Sequence, residues 1–199
     1  MDSFPNLTNL AFANYRQLQY LALGYCNIEH IQQDTFSSLT ILNYLDLSGN
    51  NILELPAMPP SIQTLVLNSM TKKSKFFSSA RTVEEITSLK PSLRKLWLRK
   101  NDLKALPPFV KTLRNLDTLS VSKNEISKLT VEDITPLCSL QELDFTNNVL
   151  ARESACDCLA VKLWTSRRSI RVHNLTCPVI PDAGELLNAD TTLLSHLNV

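Results

Sequence analysis

The sequence predicts a curved α/β solenoid. Short parallel strands would line the concave face. A mixed return of helix, 3-10 turn and loop would form the convex face, and a cysteine-rich cap would close the C-terminal end. Three observations predict it. Six stretches share one spacing of leucines, they recur at broadly regular steps, and a C-x-C pair with a third cysteine follows the last of them.

The sharpest stretch is Leu42, Leu45, Leu47, Asn50 and Ile52. The others are Leu18-Leu21-Leu23-Cys26-Ile28, Leu93-Leu96-Leu98-Asn101-Leu103, Leu116-Leu119-Val121-Asn124-Ile126 and Leu140-Leu143-Phe145-Asn148-Leu150, with a degraded copy at Ile62-Leu65-Leu67-Met70. This is the leucine-rich repeat, whose period is roughly 20–29 residues. The L-x-L core is a short strand with alternate side chains facing inward. One repeat cannot bury that edge alone, but stacked repeats make a continuous core. The Asn turns inward after the strand, where its amide satisfies backbone groups that would otherwise be buried unpaired. Phe36, Leu39, Ile134 and Leu137 fill the convex side.

These units divide the chain into repeats over 1–152 and an incomplete cap over 153–199. Strand units are expected near 7–12, 18–23, 42–47, 62–67, 93–98, 116–121 and 140–145. The first unit, with Leu7, Leu10 and Phe12, lies too close to Leu18 for a repeat to go out and return. About half a repeat is therefore expected to be missing, as in a splice variant, a partial gene or a truncated form. No basic and apolar leader follows Met1, and no cysteine-bearing N-terminal cap is present.

Two of the steps between copies depart from the common length. The short step, from Leu42 to Ile62, contains Leu55-Pro56-Ala57-Met58-Pro59-Pro60, so its return is expected to be extended. The long step, from Ile62 to Leu93, carries an insertion around 70–81 with Lys72, Lys73, Lys75, Phe76 and Phe77. Met70 replaces the Asn there and breaks the ladder. The insertion is either drift in a loop or a protruding loop that touches a ligand.

The chain is 44% hydrophobic and 20% charged, with net charge +1. That is a globular composition. It gives no case for nucleic acid as the main partner, and no apolar run is long enough to span a membrane. Three glycines in 199 residues, with no G-x-G-x-x-G or P-loop, argue against phosphate loops. His30, His173 and His196 lie in separate segments and no catalytic motif is present, so neither an enzyme nor a cofactor is expected.

Cys26 stands at an Asn position and reads as a free structural thiol; Cys138 reads as free and buried. Cys156, Cys158 and Cys177 follow the last repeat, where an apolar end needs a lid. They form either a disulfide framework, which implies an oxidising compartment, or a zinc or reduced-thiol set. Adjacent strand-like side chains in C-x-C diverge and need separate partners. Asn6-Leu7-Thr8 and Asn174-Leu175-Thr176 are glycosylation sequons at Asn6 and Asn174.

Nearly the whole chain resembles the C-terminal part of a Toll-like receptor ectodomain. The resemblance rests on the repeats, the segment Cys156-Asp157-Cys158-Leu159-Ala160-Val161-Lys162-Leu163-Trp164, Cys177-Pro178, Pro181, and Gly184-Glu185-Leu186-Leu187. It implies that Cys156 pairs with Cys177, while Cys158 has its partner beyond Val199. It also implies an extracellular or luminal fragment of a single-pass innate immune receptor. Ligand-driven homo- or heterodimerisation of ectodomains would bring cytoplasmic TIR domains together. The ligand, microbial or endogenous, is left open among lipid, protein and nucleic acid. The rival reading is an adhesion protein, co-receptor or soluble decoy without TIR signalling. Non-leucine strand positions face the concave side, where Arg94, Lys95, Trp97, Arg99 and Lys100 cluster, with Tyr44 further along. They form either a surface for an anionic or protein ligand or a solvated strand.

Overall fold

The computed structural model describes residues 6–71 and 76–179. Its body is a seven-stranded, wholly parallel sheet. In order across the sheet these are β2 (Tyr20–Ala22), β4 (Tyr44–Asp46), β5 (Thr64–Val66), β6 (Lys95–Trp97), β7 (Thr118–Ser120), β8 (Glu142–Asp144) and β9 (Arg171–His173). A separate pair, β1 (Asn6–Leu7) with β3 (His30–Ile31), lies on the return path. The result is a leucine-rich repeat solenoid.

Register follows from the leucines. Leu21, Leu45, Leu65, Leu96, Leu119 and Leu143 stand opposite one another, ending at Val172. From Leu45 to Leu143 this column is fully buried. Burying one such side chain is worth about 1.5–3 kcal/mol.

Each strand ends in a tight turn. The residue before the ladder position is left-handed in every repeat: Tyr25, Gly49, Ser69, Lys100, Lys123 and Asn147, with φ between 54° and 65°. Only Gly49 takes that conformation without steric cost; the others each forfeit about 1 kcal/mol or more. The ladder asparagines compensate. Asn124 Oδ1 accepts from the backbone N–H of Asn101 (2.7 Å) and Leu103 (3.1 Å), and its Nδ2 donates to Leu98 O (2.9 Å) and Val121 O (2.7 Å). Asn50 does the same for Cys26, Ile28, Leu23 and Leu47.

At Met70 the ladder is one rung short and is not severed. Asn101 still reaches back to Leu67 O (2.7 Å) and accepts from Met70 N–H (2.8 Å). Buried Met70 has no amide to reach the coil before it. Thr71 stitches that interface instead, its Oγ1 donating to Asn50 O at 2.8 Å.

The return paths differ in length and content. Residues 53–60 carry neither helix nor strand, and Leu55, Pro56 and Pro59 are buried. The longer fourth return forms α1 (Ala80–Ser88), which buries Thr82 and Ile86. Glu85 Oε2 in that helix accepts from Met58 N–H at 3.0 Å. Phe76 and Phe77 are buried edge to face, with centroids 5.0 Å apart. This part of the insertion is thus core packing and not a protruding loop; Lys72, Lys73 and Lys75 lie outside the described residues. Further on come the 3-10 turn Pro108–Thr112 and the short α2 (Val131–Ile134).

The N-terminal expectation is corrected. Residues 7–12 do not form a concave strand unit. They form β1 and a 3-10 turn at Asn9–Ala11, and Leu7 pairs with Ile31. Phe12 likewise packs beside Phe36, with ring centroids 5.9 Å apart. The offset from Leu7 to Ile31 equals that from Leu21 to Leu45 on the sheet, one full repeat. This segment is therefore the return half of a regular repeat, and no half repeat is missing between Leu7 and Leu18.

The cap corrects the cysteine pairing. The structure joins Cys158 to Cys177, with Cα atoms 5.5 Å apart, and leaves Cys156 free and exposed. The physical reason is that C-x-C lies in a helix, α3 (Ala155–Arg167). Two positions along a helix differ by about 200° around its axis. Cys158 shares the buried stripe of Ala155, Val161 and Thr165, and Cys156 points away. Cys158 therefore needs no cysteine beyond Val199. Cys138 is exposed, not buried, and Cys26 is half-buried; both are free. Residues 180–199, including Pro181 and Gly184, lie outside the described residues.

Two measurements check these assignments. Asn124→Ala leaves four backbone groups unpaired and should cost about 3 kcal/mol in urea unfolding. Cys158→Ser should lower the melting temperature of the oxidised protein markedly, while Cys156→Ser leaves it within about a degree or two.

Candidate functional site

Strand alternation places two columns of side chains on the concave face. One runs Tyr20, Tyr44, Thr64, Lys95, Thr118, Glu142, Arg171. The other runs Ala22, Asp46, Val66, Trp97, Ser120, Asp144, His173. Chemistry changes along them, from aromatic through cationic to mixed charge.

At the N-terminal end Tyr20 and Tyr44 stack with centroids 4.0 Å apart and planes 11° apart. Burial, then the hydrogen bond with Tyr20 and the charge of Asp46, pushes the Tyr44 hydroxyl well up. Tyr25, highly exposed, lays its ring over Gly49, where a Cβ would collide with it.

In the middle, Lys95 is exposed and Trp97 half-buried. Val66 and Ser120 flank Trp97 in register and are only 2% and 6% exposed, although their column faces outward. The indole stands between them in register, and Ser120 is also covered through its bond to Asp144. Trp97 Nε1 is buried and has no hydrogen-bond partner among the described residues. A buried unpaired donor costs about 1–3 kcal/mol.

The other expected site residues are spread out. Arg94 turns to the strand-entry edge, where its Nη1 donates to Pro91 O (3.2 Å) and Asn115 O (3.5 Å). Arg99 follows the strand, its backbone N–H held by Asn68 Oδ1 at 2.8 Å, and Lys100 sits exposed in the left-handed turn. Lys95 and Trp97 alone of the five lie on the sheet itself. Tyr44 lies two strands away, about 10 Å.

The C-terminal end is one the sequence did not reveal. Glu142 Oε1 is 2.9 Å from His173 Nε2, and its Oε2 accepts from Arg171 at 3.4 Å. Beside it, Asp144 accepts from Ser120 Oγ (2.7 Å) and Thr146 N–H (3.1 Å). Burial works to raise the Asp144 carboxyl, but hydrogen bonds from Thr146, Ser120 and Ser122 outweigh it and hold it below the usual carboxylate range. Asn174, the better sequon, is exposed just after β9; Asn6 is exposed in β1.

Two leucine-rich repeat families match the chain, "Leucine rich repeat" over residues 16–69 and "Leucine Rich repeats (2 copies)" over residues 91–137. Mouse mimecan is 34% identical over 129 residues, 65% of this chain and 41% of mimecan. Toll-like receptor 2 type-2 of Gallus gallus is 31% identical over 121 residues, 54% of this chain and 15% of that receptor. The solved mouse RP105/MD-1 complex superposes with TM-score 0.60 at 25% identity, covering 75% of this chain and 25% of that one.

The chain is a leucine-rich repeat protein, with the repeats matched over residues 16–69 and 91–137. It spans less than half the length of either relative. Its likeness to Toll-like receptors is shared with mimecan, so that family is not singled out. No helix among the described residues is long and apolar enough to cross a membrane.

The sign of the Asp144 shift gives a test. A depressed folded value contributes stability above the unfolded value near pH 4, lost as pH falls through the folded one. The stability gap between wild type and Asp144→Asn should stay constant from about pH 7 to about pH 5 and close below about pH 4, read by urea unfolding.

Proposed function

We propose that the chain is an extracellular binding module of the adhesion or co-receptor kind, which engages a protein partner through the centre of its concave sheet. The observation that carries this reading is Trp97. It is half-buried at the middle of the sheet, with a buried indole N–H that lacks an acceptor and the exposed Lys95 two residues before it. Turning the ring outward on binding would bring that N–H to a partner's carbonyl or carboxylate, and Trp is over-represented among residues that dominate binding energy. Mimecan supports the non-signalling reading, and the similar RP105/MD-1 structure is of a complex. The proposed role is binding.

A second reading is a Toll-like ectodomain segment that signals by ligand-driven pairing. The match to Toll-like receptor 2 type-2 and the disulfide-tied helical cap favour it.

The chain, displayed as a soluble dimeric fusion, should bind a defined set of cell lines. Lys95→Glu/Trp97→Ala should reduce binding by about tenfold or more in protein that is still secreted and folded at the assay temperature. Equal binding by that variant rejects the concave reading. Grafting the chain onto a TIR-bearing reporter separates the two readings: only the receptor reading expects a response on binding.

A further inference from the structure

Between residues 90 and 114 the sequence holds eight Lys or Arg and one acid, Asp102, so the rest of the chain is net −6 against +7 here. These residues make one turn of the solenoid, from the end of the fourth return through β6 to the entry of β7. The positive charge is thus a belt around one coil. At the strand-entry edge the belt opens into a cleft of about 690 Å³ lined by Lys90, Pro91, Lys111, Thr112, Arg114 and Asn115.

We propose that this cleft binds a sulfated or carboxylated polysaccharide chain. The floor is fixed: Asn115 Nδ2 donates to Lys90 O and Pro91 O, both at 3.3 Å, and Arg94 leans on Pro91 O and Asn115 O beneath. Lys111 is committed in part to Asp133, at 2.8 Å. Lys90 and Arg114 have no ion-pair partner among the described residues, and their charge is open to a ligand. The cleft is too open to strip water from a single small ion, but a polymer can gather many weak contacts along the belt. Its lining holds no aromatic side chain on which a nucleic acid base could stack. The disulfide suits an oxidising compartment, the kind in which extracellular polysaccharides are met.

The test measures binding of the whole chain to a sulfated glycosaminoglycan oligosaccharide by calorimetry at physiological salt. Lys90→Glu/Arg114→Glu should weaken binding by about tenfold or more, and raising salt should weaken the wild type steeply. Lys162→Glu/Arg167→Glu makes the same change of net charge on exposed positions of α3 and should stay within about twofold. The milder Lys90→Gln/Arg114→Gln should move in the same direction if the charge reversal impairs folding. An equal loss in the α3 control, unchanged binding by both cleft variants, or tighter binding of a single-stranded oligonucleotide of equal charge each overturns the proposal. The cleft lies at the strand-entry edge and not on the concave face: Trp97→Ala, which leaves the belt's charge intact, should keep at least a third or so of the saccharide affinity, so failure of either reading leaves the other standing.

Discussion

A strand of three residues cannot satisfy its own backbone once it turns. In this solenoid the carbonyls and amides just past each strand face the interior, where water cannot reach them. The asparagine at the turn meets that need with one side chain that donates to its own coil and the previous one and accepts from the previous one. Everything else accommodates this contact. Inward turning demands a left-handed residue before the amide, and the chain accepts tyrosine, serine and lysine there at a steric cost. The cost is met because losing the rung would leave several buried groups unpaired.

Because the ladder and the leucine column fix the coil, outward positions are free to vary. The concave face changes from stacked tyrosines, through Lys95 and Trp97, to an ion-paired end at Glu142, Arg171 and His173. Binding chemistry on this scaffold is therefore a matter of side chains alone. Shared fold with mimecan and with Toll-like receptors speaks to the scaffold; the partner is written in the columns.

Much of the scaffold was legible in the sequence. Leucine spacing marks the strands, and Pro56, Pro59 and Pro60 mark the extended return. The errors have one origin: a local pattern was assigned the wrong geometry. Leu7 and Leu10 carry a leucine spacing, but Leu7 belongs to the return, which only its pairing with Ile31, one full repeat on, discloses. Cys156 and Cys158 look like strand neighbours, yet Ala155–Arg167 winds as a helix and turns them to opposite sides. The site was legible only in part. Lys95 and Trp97 follow from strand alternation, whereas Arg94 turns to the strand-entry edge through its bonds to Pro91 O and Asn115 O. The Glu142–His173 pair joins positions far apart in the chain and depends on β9, which carries no leucine signature.

The missing rung at Met70 has a consequence for how the stack comes apart. In a linear array each coil is held only by its neighbours, and cooperativity passes from one interface to the next. The Asn50–Met70 interface lacks the amide that ties Asn101 to Asn124, and Thr71 takes its place, its Oγ1 and backbone N–H both donating to Asn50 O. It is the interface at which the stack should part first, between a block carrying the tyrosine stack and one carrying the cation belt and the disulfide-tied cap. At that seam an all-or-none description of unfolding first gives way.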